Sequence, residues 1–199
     1  MDQKSSDGIN NFITVRTTAF LEDLKQTPSS MSGAGVVGVQ LTDFPTSHLT
    51  LAQILWIQRL VSTGQDVVRY GIRDVDVWLG GDSPKTAVFT PMPPTEIISN
   101  LDLLIKNWVV QYDVLRAQNR DSIVSSIAAF HYDFLKIHPL LDANGRVARA
   151  LLRQQMIELL DADIPNIFTD KPVEYYESLE AANNGNVDPL IKLLKDYLD

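Results

Sequence analysis

Residues 138–149, with the sequence HPLLDANGRVAR, bring together side chains that could bind and activate a phosphate ester. His138 can accept a proton from an attacking hydroxyl. Asp142 has the carboxylate that Mg²⁺ prefers when the phosphate oxygens of a substrate supply further ligands. Arg146 and Arg149 share one face of a helix at this spacing and can bind phosphate oxygens. The segment therefore predicts a general base beside a metal-bound phosphate.

The same segment predicts a helix start that faces this chemistry. Pro139 ends one helix, and the turn-prone pair Asn144-Gly145 begins the next. The first amides of that second helix have no partner within it, and the positive end of the helix dipole lies there. Anions bind readily at such a position. We therefore predict an anion-binding loop between two helices.

Each of these residues also has a purely structural interpretation. A histidine at a helix end, an Asn-Gly turn, a capping aspartate and arginines on a solvated face are common in proteins that bind no phosphate. Their combination within a single loop favours the functional interpretation, because the structural interpretations would all have to coincide.

Composition limits the class of protein. The chain has 199 residues, of which 45% are hydrophobic, enough for one compact core. Its formal net charge of −8 disfavours nucleic acid as a partner. It contains no cysteine, which excludes disulfides and thiolate metal sites. We find no apolar signal region and no run of about 18 apolar residues, and so expect no membrane partner. We expect a soluble, cytoplasmic protein.

Hydrophobic periodicity predicts that most of the chain is helical. A moderately amphipathic helix is predicted at 9–26, followed by a Ser- and Gly-rich segment. The next helix is predicted at 47–63, with Thr46 or Ser47 as its N-cap and Gly64 as its end. Further helices are predicted at 95–116, 120–137, 145–160, 172–183 and 187–198.

The pattern changes between residues 67 and 94. Two β-rich runs, 74–79 and 86–90, flank a Gly-Gly-Asp-Ser-Pro cluster and predict a hairpin with a longer loop. An isolated hairpin in a helical chain is marginal as structure. We therefore predict that it is a flap lying across another part of the protein.

The loop resembles the signature of the Fic/Doc family, His-x-Phe-x-Asp/Glu-Gly-Asn-Gly-Arg-x-x-Arg, in which Pro commonly follows the His. The residues that match in place and spacing are His138, Pro139, Asp142, Asn144, Gly145, Arg146 and Arg149. The stretch YGIRDVDVWLGG…AVFTPMPPTEI is similar to the family's flap region, and YYESLEAANNGNVDPLIKLL to its closing helices. The resemblance implies a mainly α, Fic-like helical bundle with one β-hairpin flap over the active site. That domain would span residues 47–199, after a helix and a Ser/Gly-rich loop in residues 1–46.

Family members typically transfer AMP from ATP to a Ser, Thr or Tyr hydroxyl of a target protein. By position, the resemblance implies that His138 is the general base and that Asp142 holds Mg²⁺ on the α- and β-phosphates. Arg146 would bind β/γ oxygens and Arg149 the γ-phosphate. The phosphate nest would be formed by Ala143, Asn144 and Gly145.

The resemblance also implies where the target and the adenine would bind. The flap would hold the target segment by strand-like pairing through Thr86, Ala87, Val88 and Phe89. Tyr175 or Tyr176 could stack on the adenine, and Asn183 could bond to its edge. The partner would be a protein with a hydroxyl side chain, and a homodimer is left open.

Two positions depart from the signature and leave alternatives open. Leu140 replaces the usual Phe as an apolar anchor, which should be tolerated with some repacking. Ala143 replaces Gly, as in the Doc branch, whose members phosphorylate; a positive φ there would cost about 1 kcal/mol. The Doc branch has Lys where this chain has Gly145, and the small residue leaves room for a triphosphate in the AMP-transferring orientation. AMP transfer is therefore favoured, with a Doc-like kinase as the alternative.

A third interpretation is a non-catalytic module that docks a phosphate or a partner. Binding alone requires neither a base nor a metal ligand, so His138 and Asp142 argue against it.

Many family members are inhibited by a helix with the pattern Ser/Thr-x-x-x-Glu-Gly/Asn, whose Glu pairs with the second motif arginine. The nearest frame in this chain has Ser30 and Gly35 in place, but Ala34 stands where the Glu should be. We expect self-inhibition to be absent or weakened. A plain flexible linker is equally consistent with this composition.

Overall fold

The structure is a computed structural model that describes residues 45–62, 68–164 and 170–198, and helices dominate these ranges. A 3₁₀ turn at Thr46–His48 precedes the first helix. The helices are α1 (Leu51–Leu60), α2 (Pro94–Arg116), α3 (Arg120–Ile137), α4 (Asn144–Leu160), α5 (Pro172–Asn183) and α6 (Asp188–Lys195). The mainly α prediction is confirmed. The predicted helix at 9–26, the cap Gly64 and the frame Ser30, Ala34 and Gly35 lie outside the described residues.

The central helices are the ones that periodicity predicts best. The structure confirms α2, α3, α4 and α5 to within one residue at each end, whereas α6 is shorter than predicted at both ends. The predicted apolar side of α3 is buried, with Ile127 and Phe134 at 0% exposure. The ring of Trp108 in α2 lies 5.0 Å from that of Phe130, and α3 packs most extensively against α4. The core therefore lies around α3, with α4 directly against it.

The start of α1 differs from the prediction. Its N-cap is Thr50, whose hydroxyl accepts a hydrogen bond from the amide of Gln53 at 3.2 Å, and not Thr46 or Ser47. The amide and the hydroxyl of Thr46 donate instead to the carboxylate of Glu158 in α4. Residues 46–48 consequently form a separate 3₁₀ turn.

The Glu158 carboxylate joins three elements. Besides Thr46, it accepts a hydrogen bond from the hydroxyl of Tyr112 in α2 at 3.0 Å. Burial and the neighbouring Glu158 raise the pKa of Tyr112 to about 12, so this hydroxyl stays protonated as a donor. The contact fixes the chain before α1 against α2 and α4.

The predicted hairpin is reduced to a single antiparallel bridge between Leu79 and Phe89 within the described residues. Their amides and carbonyls exchange hydrogen bonds of 2.9 and 3.1 Å. Gly80 and Gly81 follow with φ of 69° and 73°, and a Cβ on Gly81 would lie 2.1 Å from the carbonyl oxygen of Thr86. Residues 74–77 alternate acidic with apolar side chains, but Val75 is 51% exposed, so no buried face extends the pairing.

The root of this segment contacts the connection between α3 and α4. Ile72 pairs with Leu140 in an antiparallel bridge. The amide of Arg73 donates to the carbonyl of Pro139, and the amide of Leu141 donates to the carbonyl of Gly71, both at 2.9 Å. Residues 71–73 thus form one wall of the loop. None of the helices in the described ranges is long and apolar enough to cross a membrane.

Candidate active site

The loop that joins α3 to α4 consists of residues 138–143 and is bounded by two residues in the left-handed backbone region. His138 has φ of 50° and Ala143 has φ of 66°. The amide of His138 caps α3 by donating to the carbonyl of Phe134 at 3.0 Å. Left-handed geometry costs a residue with a Cβ about 1–2 kcal/mol, so contacts with the surrounding structure must hold both ends. Ala143 thus has the positive φ whose cost the sequence analysis considered.

Asn144 closes the loop on itself. Its Oδ1 accepts a hydrogen bond from the amide of Leu140, and its Nδ2 donates to the carbonyl of Leu140, both at 2.8 Å. Leu140 is completely buried, which confirms its predicted role as an apolar anchor. Because the Asn144 side chain is 4% exposed and bonded to the loop, a phosphate would meet the backbone of Asn144.

The carboxylate of Asp142 lies at the beginning of α4. Its Oδ1 accepts a hydrogen bond from the amide of Ala143 at 2.6 Å and lies 3.6 Å from Nη2 of Arg146. The side chain remains 30% exposed. Within the described ranges, no three histidine or acidic residues cluster as a metal site. This donor set fits Mg²⁺ only where one protein carboxylate is supplemented by phosphate oxygens and water.

The two arginines of α4 have different surroundings. Arg146 lies beside α1, where its Nη1 donates to the carbonyl of Val61 at 3.2 Å. Arg149 donates a hydrogen bond to the hydroxyl of Tyr175 in α5. A Cβ on Gly145 would lie 3.1 Å from Nη1 of Arg149, closer than ordinary van der Waals contact. The glycine therefore keeps space for the guanidinium of Arg149.

Sequence reasoning missed His131, which lies two turns before His138 on α3. Its ring is buried, with Nδ1 3.2 Å from the carbonyl of Ala148 and Nε2 2.8 Å from the hydroxyl of Tyr175. Burial lowers the pKa of His131 to about 4. A neutral histidine inside the core is thus connected through Tyr175 to Arg149. The signal in the sequence was a histidine on the apolar side of α3.

The paired tyrosines of α5 separate in the structure. Tyr175 is 1% exposed and bonded within the core, so its ring has no free face for an adenine. Tyr176 is half-buried, with its ring centroid 5.4 Å from that of Tyr175. Asn183 is exposed two turns further along the same helix. Of the two tyrosines, Tyr176 is the one whose environment is compatible with stacking.

Two more polar residues that the sequence analysis did not assign hold the loop. Gln58 of α1 is completely buried. Its Nε2 donates to the carbonyls of Asp142 at 2.9 Å and Arg69 at 3.1 Å, and its Oε1 accepts from the amide of Gly71 at 3.0 Å. The second residue is Arg73, which is 2% exposed. A glutamine on the apolar side of α1, four residues after Ile54, was the signal for the first.

The predicted target-binding residues 86–89 lie in the later part of the segment that runs from residue 71 to the start of α2. The hydroxyl of Thr86 accepts hydrogen bonds from the amides of Asp82 and Ser83 at 3.1 Å, and this closes the turn. Val88 is 73% exposed, and its amide donates to Leu79 at 3.0 Å. Ala87 and Phe89 are partly buried. The contacts described between this segment and the loop come from residues 71–73.

The strained loop between α3 and α4 contains a histidine and an aspartate, and two arginines follow on α4. These elements define a helical domain built around a candidate phosphate-binding loop. Residues 48–156 match the sequence model of the Fic/DOC family, and the chain therefore belongs to that family.

Relatives with similar sequences support the same assignment. The chain is 29% identical over 153 residues to the protein adenylyltransferase fic-1 of Caenorhabditis elegans, a match that covers 75% of this chain and 27% of that protein. It is 32% identical over 142 residues to a probable protein adenylyltransferase of Aquifex aeolicus, covering 71% of this chain and 39% of that protein. The matched region is thus well under half of each relative.

Solved structures confirm the fold. Fic-1 of C. elegans superposes with a TM-score of 0.60 at 24% identity, over 76% of this chain and 41% of that chain. A Fic family protein of Desulfovibrio desulfuricans superposes with a TM-score of 0.62 at 18% identity, over 94% of this chain and 63% of that chain.

Proposed function

We propose that this chain is a protein adenylyltransferase, which transfers AMP from ATP to a Ser, Thr or Tyr hydroxyl of a target protein. The observation that supports this most directly is the loop geometry. A short strained connection holds His138 at the end of α3 and Asp142 at the start of α4, and Arg146 and Arg149 follow on α4. The names of the relatives agree with this activity.

In the proposed reaction, the target hydroxyl attacks the α-phosphorus of ATP. A bond forms between the hydroxyl oxygen and that phosphorus, and the bond to the bridging oxygen of the β-phosphate breaks, so that pyrophosphate leaves with the electron pair. His138 takes the proton of the hydroxyl. Its Nδ1 is buried, and we assign the proton acceptor to Nε2. The reaction then needs mainly positioning and charge stabilisation.

The nucleotide would be held by the start of α4. Ala143, Asn144 and Gly145 lie at the positive end of the helix dipole, where phosphate oxygens bind well. The amides of Asn144 and Gly145 would be the donors, because that of Ala143 donates to Asp142. Arg146 would contact β/γ oxygens and Arg149 the γ-phosphate. When bound, Mg²⁺ would be held by Asp142 and would neutralise charge on the phosphates. Tyr176 and Asn183 on α5 would contact the adenine.

The target would bind as an extended segment beside Thr86, Ala87, Val88 and Phe89. Val88 is mostly exposed there, and main-chain pairing with an added strand is a common way to bind a peptide. The net charge of −8 disfavours nucleic acid as the acceptor. We place the protein in the cytoplasm and propose no membrane partner; a homodimer stays an open alternative.

A Doc-like kinase is the second candidate, because Ala143 replaces the usual glycine. Gly145 argues for AMP transfer, since a side chain at that position would press on Arg149. A non-catalytic module that only docks a phosphate is the third candidate.

One assay separates the three functions. The chain is incubated with lysate proteins and with ATP labelled at either the α- or the γ-phosphate. Label from the α position supports AMP transfer, label from the γ position alone supports a kinase, and ATP binding without label supports the docking module. His138→Ala should lower transfer by about 10²- to 10⁴-fold and leave ATP binding largely intact. Undiminished transfer in that variant would contradict the assignment of the base.

A further inference from the structure

The side chain of Arg73 is buried between the loop and the root of the segment that precedes α2. Its Nε donates to the carbonyl of His138 at 2.6 Å, and its Nη2 donates to the carbonyl of Ile137 at 3.1 Å. These two carbonyls end α3. The guanidinium therefore occupies the negative end of the α3 dipole, where a cation is stabilised.

The remaining donors of Arg73 bind the other part of the site. Nη1 donates to the carbonyl of Val75 at 2.9 Å, and Nη2 also donates to the carbonyl of Met92. Val75 and Met92 lie on either side of the Leu79–Phe89 bridge in sequence. A single guanidinium thus holds both ends of the segment that contains residues 86–89 against the end of α3.

Burial of the charged Arg73 guanidinium costs free energy, which is unusual for a side chain that serves packing alone. In the described part of the chain, its hydrogen-bond partners are all backbone carbonyls. Burial lowers the pKa of Arg73, and Asp76 opposes that change. Burying a cation without a directly bound carboxylate costs free energy. Four carbonyls in fixed directions offset that cost only for a planar, forked donor group.

The geometry points to Arg73 as a positioning residue that fixes the backbone of His138 and couples it to the root of the target-binding segment. His138 adopts φ of 50°, a conformation that an ordinary residue leaves unless its surroundings hold it. The bond from Arg73 to the His138 carbonyl supplies that constraint directly. The inference rests on the proposed function, because it assigns the constraint a role in AMP transfer.

Arg73→Lys is the decisive variant. Lysine keeps the charge, but its ammonium cannot donate in the directions of all four carbonyls. We expect kcat for AMP transfer to fall roughly tenfold to a hundredfold, because small displacements of a catalytic group have effects of that size. The KM for ATP should stay nearly unchanged, since the phosphate-binding residues lie on α4.

Two control variants separate positioning from general destabilisation. Arg120→Lys changes an arginine that also donates to a backbone carbonyl, at 2.7 Å. That carbonyl belongs to Leu198, which is far from the loop in sequence. Tyr112→Phe removes the hydroxyl bound to Glu158 and lowers stability away from the loop. Thermal unfolding measures the stability of each variant, so that its loss of kcat can be compared with its loss of stability.

A second readout does not depend on activity. The chain has three histidines, so the imidazole Cε1–H signal of His138 can be assigned by NMR with two histidine substitutions. In Arg73→Lys that signal should shift or broaden, whereas in Arg120→Lys it should stay in place.

Loss of kcat at constant KM, together with a changed His138 signal, supports the inference. A kcat loss no larger than that of Tyr112→Phe, a matching rise in KM, an unchanged His138 signal, or a failure of Arg73→Lys to fold would each overturn it. If the wild-type chain transfers no AMP, the proposed function fails. The NMR comparison then still shows whether Arg73 positions His138.

Discussion

His131 accepts a hydrogen bond from the hydroxyl of Tyr175 across 2.8 Å, and this contact joins α3 to α5 beside Arg149. Because a carbonyl only accepts, the Nδ1 that faces the Ala148 carbonyl must carry the imidazole proton. The Tyr175 hydroxyl in turn accepts a hydrogen bond from Arg149. A continuous chain of hydrogen bonds therefore runs from the backbone of α4, through α3 and α5, back to the second arginine of α4.

The buried His131 predicts a pH-dependent stability. Burial lowers its pKa to about 4, against 6.5 in the unfolded chain. Above pH 6.5 neither state is protonated. Below it only the unfolded chain takes up the proton, so stability falls as the pH is lowered towards 4, by about 3 kcal/mol in total. Urea unfolding at pH 7, 6 and 5 should show a shallower dependence for His131→Gln than for the wild type. Equal slopes would contradict this.

Tyr175 and its neighbour form a matched pair for testing the role of the hydroxyl. Tyr175→Phe leaves a buried acceptor on His131 without its donor, and we expect a loss of about 1–3 kcal/mol. Arg149 also loses a partner, so the KM for ATP should rise. Tyr176→Phe should change thermal stability much less, because that ring is half-buried. Equal losses of stability in the two variants would argue against the hydrogen-bond chain.

The left-handed backbone at Ala143 predicts that glycine stabilises the fold there. Ala143→Gly removes about 1–2 kcal/mol of strain from the folded state. The more flexible glycine also stabilises the unfolded chain, by about 0.4–1 kcal/mol of conformational entropy. We expect a net gain of roughly 0.5–1 kcal/mol by chemical denaturation. Asp161→Gly is the control, because Asp161 also has a positive φ, of 52°, after α4. We expect this variant to show a similar gain in the free energy of unfolding and to leave AMP transfer unaltered. A loss of stability in Ala143→Gly would show that the methyl group packs favourably.

Gln58 predicts a structural cost at the loop. Gln58→Met keeps the volume but leaves the carbonyls of Asp142 and Arg69 and the amide of Gly71 without this partner. Unsatisfied buried groups cost about 1–3 kcal/mol each, so we expect a loss of at least about 2 kcal/mol. Gln53→Met on the same helix should stay within about 0.5 kcal/mol. Equal urea midpoints for the two variants would contradict the role of Gln58.

The sequence predicts the helices because their signals are local. Apolar residues at helical spacing place α2, α3 and α4 within a residue, and the order of residues from His138 to Arg149 points to the family. The hairpin prediction failed in extent, because strand pairing depends on which face is buried, and Val75 is exposed. The start of α1 was wrong because Thr46 bonds to Glu158, 112 residues away.

The residues that hold the loop and the elements around it were harder to find for the same reason. Gln58, Arg73 and His131 act through carbonyls or hydroxyls that are distant in sequence, and their partners are mostly backbone atoms with no residue signature. A buried polar residue on an otherwise apolar helix face is a usable signal. It shows that a partner exists but does not identify that partner.

Three separate parts of the polypeptide shape the site: Gln58 and Arg73 hold the loop, and Tyr175 holds Arg149 on α4. During synthesis on the ribosome, the segment 138–149 emerges before α5 exists, so Arg149 has no hydroxyl to dock against until residue 175 has been added. Contacts this far apart in sequence form late in folding. A chain that has not yet been extended to residue 175 would therefore lack the Tyr175 contact of Arg149, and the activity that we propose would appear only after α5 has been synthesised.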